Sequence, residues 1–84
     1  MEHPTLSDLR IDLKFAPGWS LWQCKLRKAF LVRFDEENAW VAAVNPHDVS
    51  ITADMHWLTR RTNIKMAEIS EEVLREAIEL FAGR

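Results

Sequence analysis

Two apolar runs, separated by a short acidic segment, dominate the hydrophobic pattern of residues 29–44. Residues 29–34 and 39–44 are apolar at nearly every position. Asp35 and Asn38 begin and end the intervening four residues, as a four-residue hairpin loop prefers. The pattern predicts a hairpin at the centre of the fold. Its second strand should be a central strand covered on both faces, or one packed under a helix.

The pattern before this hairpin has a period of two. Apolar residues alternate with charged ones over residues 9–15, which predicts a half-buried strand. Pro17 and Gly18 suit a type II turn, and residues 21–27 would form the return strand. Trp19 lies on the opposite face from Trp22, which predicts either a bulge near Ser20 or large apolar side chains on the outer face.

After the hairpin, apolar residues alternate again over residues 49–57, which predicts another strand. The helical alternative places Ile51, Met55 and Leu58 on one face. Residues 64–69 predict a short last strand. Ser70, followed by two glutamates, predicts the start of a C-terminal helix with an apolar stripe, and Gly83 suits its end.

These elements predict an α+β fold: an antiparallel sheet of five to six short strands, arranged as a meander, with one C-terminal helix packed on a face. With 84 residues, the chain is expected to form a single domain over residues 1–84. An exposed edge, such as the predicted strand that begins at Leu9, would allow a homodimer by strand addition as well as a monomer.

Composition indicates a soluble, cytoplasmic protein. The chain is 48% apolar with a formal charge of −2, which gives no global attraction to a polyanion. Cys24 is the only cysteine, so an internal disulfide and an all-cysteine metal site are excluded. The N-terminal residues lack the pattern of a signal peptide, and no apolar run is long enough to span a membrane.

Candidate chemistry for catalysis is sparse. A catalytic nucleophile would require Cys24, with His47 or His56 as its base. Cys24 falls among apolar positions, however, and is predicted to fill the core. Asp54 and His56 lack a recognised metal-ligand spacing, and no glycine-rich phosphate loop is present. We therefore predict no enzyme activity, no catalytic residue, no metal site and no cofactor.

Basic residues support one alternative function, a small nucleic-acid-binding regulatory domain. Its contacts would be Arg27, Lys28, Arg60 and Arg61, with Trp19 as a stacking face. The same residues are also explained as the solvated side of a sheet, and the net charge disfavours a polyanion. Direct nucleic-acid binding is therefore the second interpretation.

Acidic residues support the first interpretation, which is protein binding. We predict a partner with a basic surface, because complementary charge speeds encounter and fixes register. The predicted contact residues lie in the hairpin tip and around the C-terminal helix: Asp35, Glu36, Glu37, Glu68, Glu71, Glu72 and Glu76. The four tryptophans add to this interpretation, because tryptophan is favoured as an interface anchor.

In its size, mild acidity, dense apolar runs and lack of catalytic motifs, the chain resembles the small phage-encoded anti-CRISPR proteins that act on type I CRISPR-Cas complexes. The resemblance is one of size and composition. It implies a non-enzymatic inhibitor in the host-cell cytoplasm. Such an inhibitor would occupy a basic surface of a Cas subunit, where the surveillance complex normally holds nucleic acid.

Overall fold

The computed structural model describes residues 3–83. In chain order, its elements are the 3-10 helix Ser7–Leu9, α1 (Leu21–Arg27), β1 (Ala29–Phe34), β2 (Asn38–Ala43), α2 (Val49–Thr59), β3 (Asn63–Glu68) and α3 (Glu71–Ala82).

The predicted central hairpin is confirmed. β1 pairs antiparallel with β2, and Ala29 lies opposite Ala43. The register shifts between Leu31 and Arg33, so a bulge interrupts the alternation of β1. Because a bulge reverses which side chains face each side of a sheet, Phe34 packs with the core on the opposite face from Phe30.

β2 is the middle strand of the sheet, as predicted, because the strand order in the described residues is β1-β2-β3. β3 pairs with β2 in parallel, with Asn38 opposite Asn63 and Ala43 opposite Glu68. A parallel neighbour needs a crossover connection, and α2 lies in the segment that returns the chain to the start of β3.

Each face of the sheet carries a separate apolar core. On one face, Phe30 and Val32 pack with residues of α1 and α3, including Cys24 and Phe81. On the other face, the core contains the α2 residues Ile51 and Met55 and these strand residues: Ala29, Leu31, Ala39, Val41 and Ala43. The two cores make a three-layer arrangement of helices, sheet and helix.

The prediction of an antiparallel meander of five to six strands with one helix is wrong. Within residues 3–83 the chain forms three strands and three α-helices, and the sheet is mixed. The fold remains α+β, but two predicted strands are helices and a third is a series of turns.

Residues 21–27 form α1 instead of a return strand. The Ser20 hydroxyl accepts a hydrogen bond from the Gln23 backbone N–H at 3.2 Å, which caps the first turn of the helix. Cys24 faces the core, whereas Trp22 and Leu26 lie exposed on the outer face. The apparent period of two came from apolar side chains that the helix does not bury.

Residues 49–59 form α2 instead of the predicted strand, and a polar side chain caps this helix too. The Asp48 carboxylate accepts a hydrogen bond from the Ser50 backbone N–H at 3.0 Å and caps the helix. Ile51 and Met55 are buried, as the helical alternative required, while Val49 and Trp57 are exposed. Because Val49 and Trp57 are apolar but exposed, they gave residues 49–57 the pattern of a half-buried strand.

Residues 9–15 form no strand. Asp12 organises a tight turn, since its carbonyl accepts the Ala16 N–H at 2.8 Å and its carboxylate accepts the Lys14 N–H at 3.0 Å. This segment covers the outer edge of β1, because the Asp12 N–H donates to the Val32 carbonyl at 3.0 Å. The predicted edge strand for self-pairing is therefore absent from the described residues.

The C-terminal half of the prediction is closer to the structure. β3 covers the predicted last strand to within one residue at each end, although it pairs in parallel. α3 begins where expected, since the Ser70 hydroxyl accepts a hydrogen bond from the Val73 N–H at 3.2 Å. Leu74, Ala77 and Phe81 of the predicted stripe are buried.

We expect substitution of Gly18 by alanine to destabilise the fold by about 2 kcal/mol. Gly18 has a φ of +80°, and an added Cβ would lie 2.8 Å from Leu31 Cβ and 3.0 Å from Leu58 Cδ2. Denaturant unfolding measures the loss. Gly83→Ala is the matched control, because its Cβ would come no closer than 3.5 Å to the Glu79 carbonyl oxygen. Equal stability of the two variants would contradict the predicted packing at Gly18.

Candidate functional site

The outward face of α1 carries two large apolar side chains. Trp22 is 68% exposed and Leu26 is 61% exposed. Residues four apart lie on the same face of a helix, so these side chains are neighbours. Both therefore leave apolar area in contact with water on the side of α1 opposite the core.

α2 presents a similar stripe. Val49 is 81% exposed and Trp57 is 70% exposed. These positions are eight residues apart, which is about two helical turns or roughly 12 Å. Ala53, also exposed, lies midway between them. The stripe is thus continuous along the length of α2.

Arg27 links the two helices. Its Nη1 donates to Ser50 Oγ at 2.9 Å, and its Nη2 lies 3.2 Å from Asp54 Oδ2. The Ser50 hydroxyl in turn donates to the Asp48 carboxylate at 2.6 Å. These bonds tie the C-terminal end of α1 to the first half of α2 through the Arg27 side chain. The two stripes lie on helices that cover opposite faces of the sheet, and we call their side chains, Trp22, Leu26, Val49 and Trp57, the helical apolar surface.

The charged residues of this surface are mainly basic. α1 contains no acidic residue, and the one acidic residue within α2, Asp54, is paired with Arg27. Lys25 is exposed between Trp22 and Leu26 in the sequence of α1. The Arg60 guanidinium carbon lies 5.8 Å from the centroid of the Trp57 ring. Each stripe thus has one cation near it, and Lys25 also lines the groove between α1 and α3 together with Glu71 and Glu79.

In the predicted acidic tip, Asp35 has a structural role. Its carboxylate accepts hydrogen bonds from the Asn38 N–H at 2.8 Å and the Glu37 N–H at 2.9 Å, and these bonds hold the pKa of Asp35 below its ordinary value. Arg61 Nε donates to the Asp35 carbonyl. Glu36 and Glu37 are exposed and carry the free charge of the tip.

The remaining predicted acidic residues lie at the other end of the sheet. Glu68 ends β3 opposite Ala43, whereas the tip adjoins Asn38, five residue steps away along β2. At about 3.3 Å per residue, this separation is roughly 17 Å. The structure thus forms two acidic groups instead of one continuous acidic surface.

Internal partners engage part of this second acidic group. Glu71 Oε1 lies 2.5 Å from Lys28 Nζ, and this bond lowers the pKa of Glu71. His3 Nε2 lies 3.5 Å from Glu68 Oε2. Glu72 and Glu76 are exposed on α3. The free charge of this group is therefore centred on α3.

Each basic residue of the nucleic-acid interpretation has a partner within the chain. Arg27 contacts Ser50 and Asp54, and Lys28 pairs with Glu71. Arg60 lies over the Trp57 ring, and Arg61 donates to the Thr59 carbonyl at 2.9 Å. Trp19, the predicted stacking face, is half-buried and packs against both cores.

Cys24 fills the core, as predicted. It is 0% exposed, and burial raises the pKa of its thiol to about 11. In the described part of the chain, no group of three or more His, Cys, Asp or Glu side chains is arranged to hold a metal ion. None of the helices in residues 3–83 is long and apolar enough to cross a membrane.

Sequence reasoning missed the helical apolar surface, although it allowed for large apolar side chains on an outer face near Trp19. Two signals pointed to it. Ser20 and Asp48 each precede an apolar stretch and suit an N-cap, and Trp22 and Leu26 have helical spacing. A helix capped at Ser20 that buries Cys24 must turn Trp22 and Leu26 to the outside.

Comparison with known proteins shows a likeness of fold. No family model and no curated protein matches the sequence. A solved structure described as "Structure of MshE with cdg" superposes with a TM-score of 0.74 at 12% sequence identity. The match covers 96% of this chain and 58% of the MshE chain, so this chain spans little more than half of that length. At this identity the likeness concerns the fold alone.

We expect Cys24 to resist alkylation by iodoacetamide in the folded protein at neutral pH. With a pKa of about 11, the thiol carries almost no thiolate, and no part of its side chain reaches the surface. Mass spectrometry would measure the labelled fraction over time. The same protein in denaturant is the control and should label rapidly. Rapid labelling of the folded protein would contradict the buried placement of Cys24.

Proposed function

We propose that this chain is a non-enzymatic protein-binding module. The observation that carries the proposal is the helical apolar surface, in which Trp22 on α1 and Trp57 on α2 are each about two-thirds exposed. Single exposed apolar residues are ordinary, but neighbouring large ones typically belong to interaction surfaces. Tryptophan is also the residue type most enriched at binding hot spots.

The rigidity of this surface supports the same proposal. Trp22 and Trp57 lie on helices, and Arg27 bridges these helices through Ser50 and Asp54. A surface held by regular elements loses little conformational entropy on binding. The apolar area of each tryptophan, about 150–250 Å² when fully buried, would then contribute to affinity with little ordering cost.

The two acidic groups support a second contact, to a basic region of a partner. Glu36 and Glu37 at the tip, with Glu72 and Glu76 on α3, are exposed and would supply this contact. Inhibition of a type I CRISPR-Cas surveillance complex in the cytoplasm of a host cell stays a prediction that rests on these residues and on the resemblance in composition. Complementary charge would raise the association rate more than the affinity.

We expect the immobilised chain to retain a discrete protein from nuclease-treated lysate of its source cell. Trp22→Ala with Trp57→Ala should lower that retention at least about tenfold, because each truncation removes a central apolar anchor. Leu80→Ala on α3 is the matched control, since Leu80 is also exposed but lies outside the helical apolar surface. Quantitative mass spectrometry of the retained protein measures the effect.

Glu36→Lys with Glu37→Lys tests the acidic tip in the same experiment. This pair leaves Asp35, which holds the turn, unchanged. A purified type I surveillance complex serves as the probe for the anti-CRISPR prediction. Retention that is equal in all variants would contradict the protein-binding proposal. Material that is retained only when the nuclease treatment of the lysate is omitted would favour the nucleic-acid alternative instead.

A second candidate function, ligand binding, rests on the fold shared with MshE, which was solved with cdg. In this chain, a groove of about 400 Å³ lies between α1 and α3, with Leu74 and Ile78 on its apolar side and Lys25 and Arg75 among its polar residues. Ligand sites commonly combine an apolar wall with a few convergent polar groups in a volume of this size.

If the groove binds cdg, calorimetric titration of the chain with cdg should give a saturable heat of binding. Arg75→Ala should weaken that binding about tenfold, as expected for loss of a hydrogen bond from a charged group. Lys65→Ala is the matched control, because Lys65 is exposed on β3, away from the groove. The absence of any heat with the unmodified chain would exclude this second function.

A further inference from the structure

β3 forms an open edge of the sheet. The strand order β1-β2-β3 places it at one end, and within residues 3–83 it pairs only with β2. The opposite edge, along β1, is closed by the segment before α1. There the Asp12 N–H donates to the Val32 carbonyl at 3.0 Å. The Pro17 carbonyl accepts a second bond, from the Leu31 N–H at 2.8 Å. Only β3 is therefore open to pairing with a further strand.

The free backbone groups of β3 belong to alternate residues. The Ile69 N–H donates to the Ala43 carbonyl at 3.0 Å, so the backbone of Ile69 faces β2. Because successive residues of a strand direct these groups to opposite sides, residues 63, 65 and 67 face β2 as well. Ile64, Met66 and Glu68 therefore direct their N–H and C=O groups outward. No hydrogen bond formed within residues 3–83 engages those groups.

β3 also leaves apolar side chains incompletely covered. Ile64 and Met66 pack against the core that contains Ile51 and Met55, yet both remain half-buried at the edge of the sheet. Side chains on neighbouring strands pack against each other across a sheet. A strand added beside β3 would thus bury more apolar area and also pair the free backbone groups.

We propose that β3 pairs with β3 of a second copy of this chain, antiparallel, about a two-fold axis at Met66. This pairing joins the two sheets into one continuous sheet. Met66 lies opposite Met66 of the second copy, and Ile64 lies opposite Glu68. These residues form about six backbone hydrogen bonds between the copies, two for each opposed pair. The inference goes beyond the proposed function, because it does not involve the helical apolar surface.

Charge and the end of the strand select this register. An axis at Lys65 would place two ammonium groups directly opposite each other, which is destabilising. An axis at Ala67 would require Ser70 to join the pairing, but Ser70 caps α3. The axis at Met66 avoids both conflicts, and its hydrogen-bonded residues all lie within β3.

A second copy fits this edge better than a strand of another protein, because it leaves no edge open. The outer edge of β1 is covered in each copy, so pairing through β3 protects the joined sheet at both ends. A single extended peptide on β3 would present its own unpaired side to water. Two-fold pairing is also the commonest symmetry of soluble oligomers.

Light scattering of the purified chain tests the proposal and should give twice the mass of one chain, in a concentration-dependent equilibrium with monomer. Met66→Pro should weaken the dimer at least about tenfold, because it removes an outward N–H donor from each copy. Proline is tolerated at an edge position whose N–H faces solvent, and far-UV circular dichroism checks that the variant folds. Met66→Ala is the matched control, which keeps the donor and should remain dimeric.

Disulfide trapping tests the register and does not depend on the proline variant. Opposed Cα atoms of a hydrogen-bonded antiparallel pair lie about 5.5 Å apart, within the range of a disulfide. Met66→Cys should therefore form a disulfide-linked dimer under mild oxidation. Lys65→Cys is the matched control, because the two Lys65 residues would lie on a diagonal, about 7–8 Å apart, which a disulfide does not bridge. Cys24 is buried and does not compete.

Several results would overturn the inference. One is a monomeric mass at every concentration up to about 1 mM. Others are equal cross-linking of the two cysteine variants, or a dimer that Met66→Pro does not weaken. Species that grow beyond a dimer would contradict the closed two-fold arrangement.

These outcomes are separable from those of the protein-binding proposal. Trp22→Ala with Trp57→Ala should leave the dimer unchanged, and loss of the dimer in that variant would assign self-association to the helical apolar surface instead. A monomeric chain that still retains a cellular protein through these tryptophans would overturn only the pairing of β3. A dimer without such retention would overturn only the proposed function.

Discussion

The double burial of β2 is the constraint on which the rest of the structure depends. β2 pairs with β1 on one edge and with β3 on the other, and both faces of the sheet are covered. A strand in this position needs apolar side chains on both sides, which accounts for the run Val41, Ala42 and Ala43. The small alanines also let the helices of both layers approach the sheet closely.

The sequence predicts the parts of the fold that have local signals. The hairpin, the central place of β2 and the capped helix α3 all follow from local signals: a continuous apolar run, the turn residues Asp35 and Asn38, and Ser70 before two glutamates. The parallel pairing of β3 does not follow. It depends on α2 crossing one face of the sheet, and residues 49–57 alternate as a strand would.

The two mistaken strands have a common physical cause. Period-two reasoning assumes that large apolar residues are buried, whereas Trp22, Leu26, Val49 and Trp57 are exposed. Each adds a false match to the alternation, and the helix caps at Ser20 and Asp48 are single-residue signals that the alternation outweighs. Conflict between a local pattern and the adopted structure is expected where residues are retained for a purpose other than folding.

The predicted candidate site differs from the one that the structure favours because internal contacts engage several of the predicted charged residues. The sequence shows which residues are acidic, but not which of them are engaged within the chain. Asp35 accepts hydrogen bonds within its turn, and Glu71 pairs with Lys28. The basic residues are similarly reduced, since Arg27 is used to join α1 to α2. What remains available is the exposed apolar area of α1 and of α2. Arg27, which looks like a ligand-binding cation in the sequence, therefore acts by tying one helix to another, and only the tertiary contacts reveal that difference.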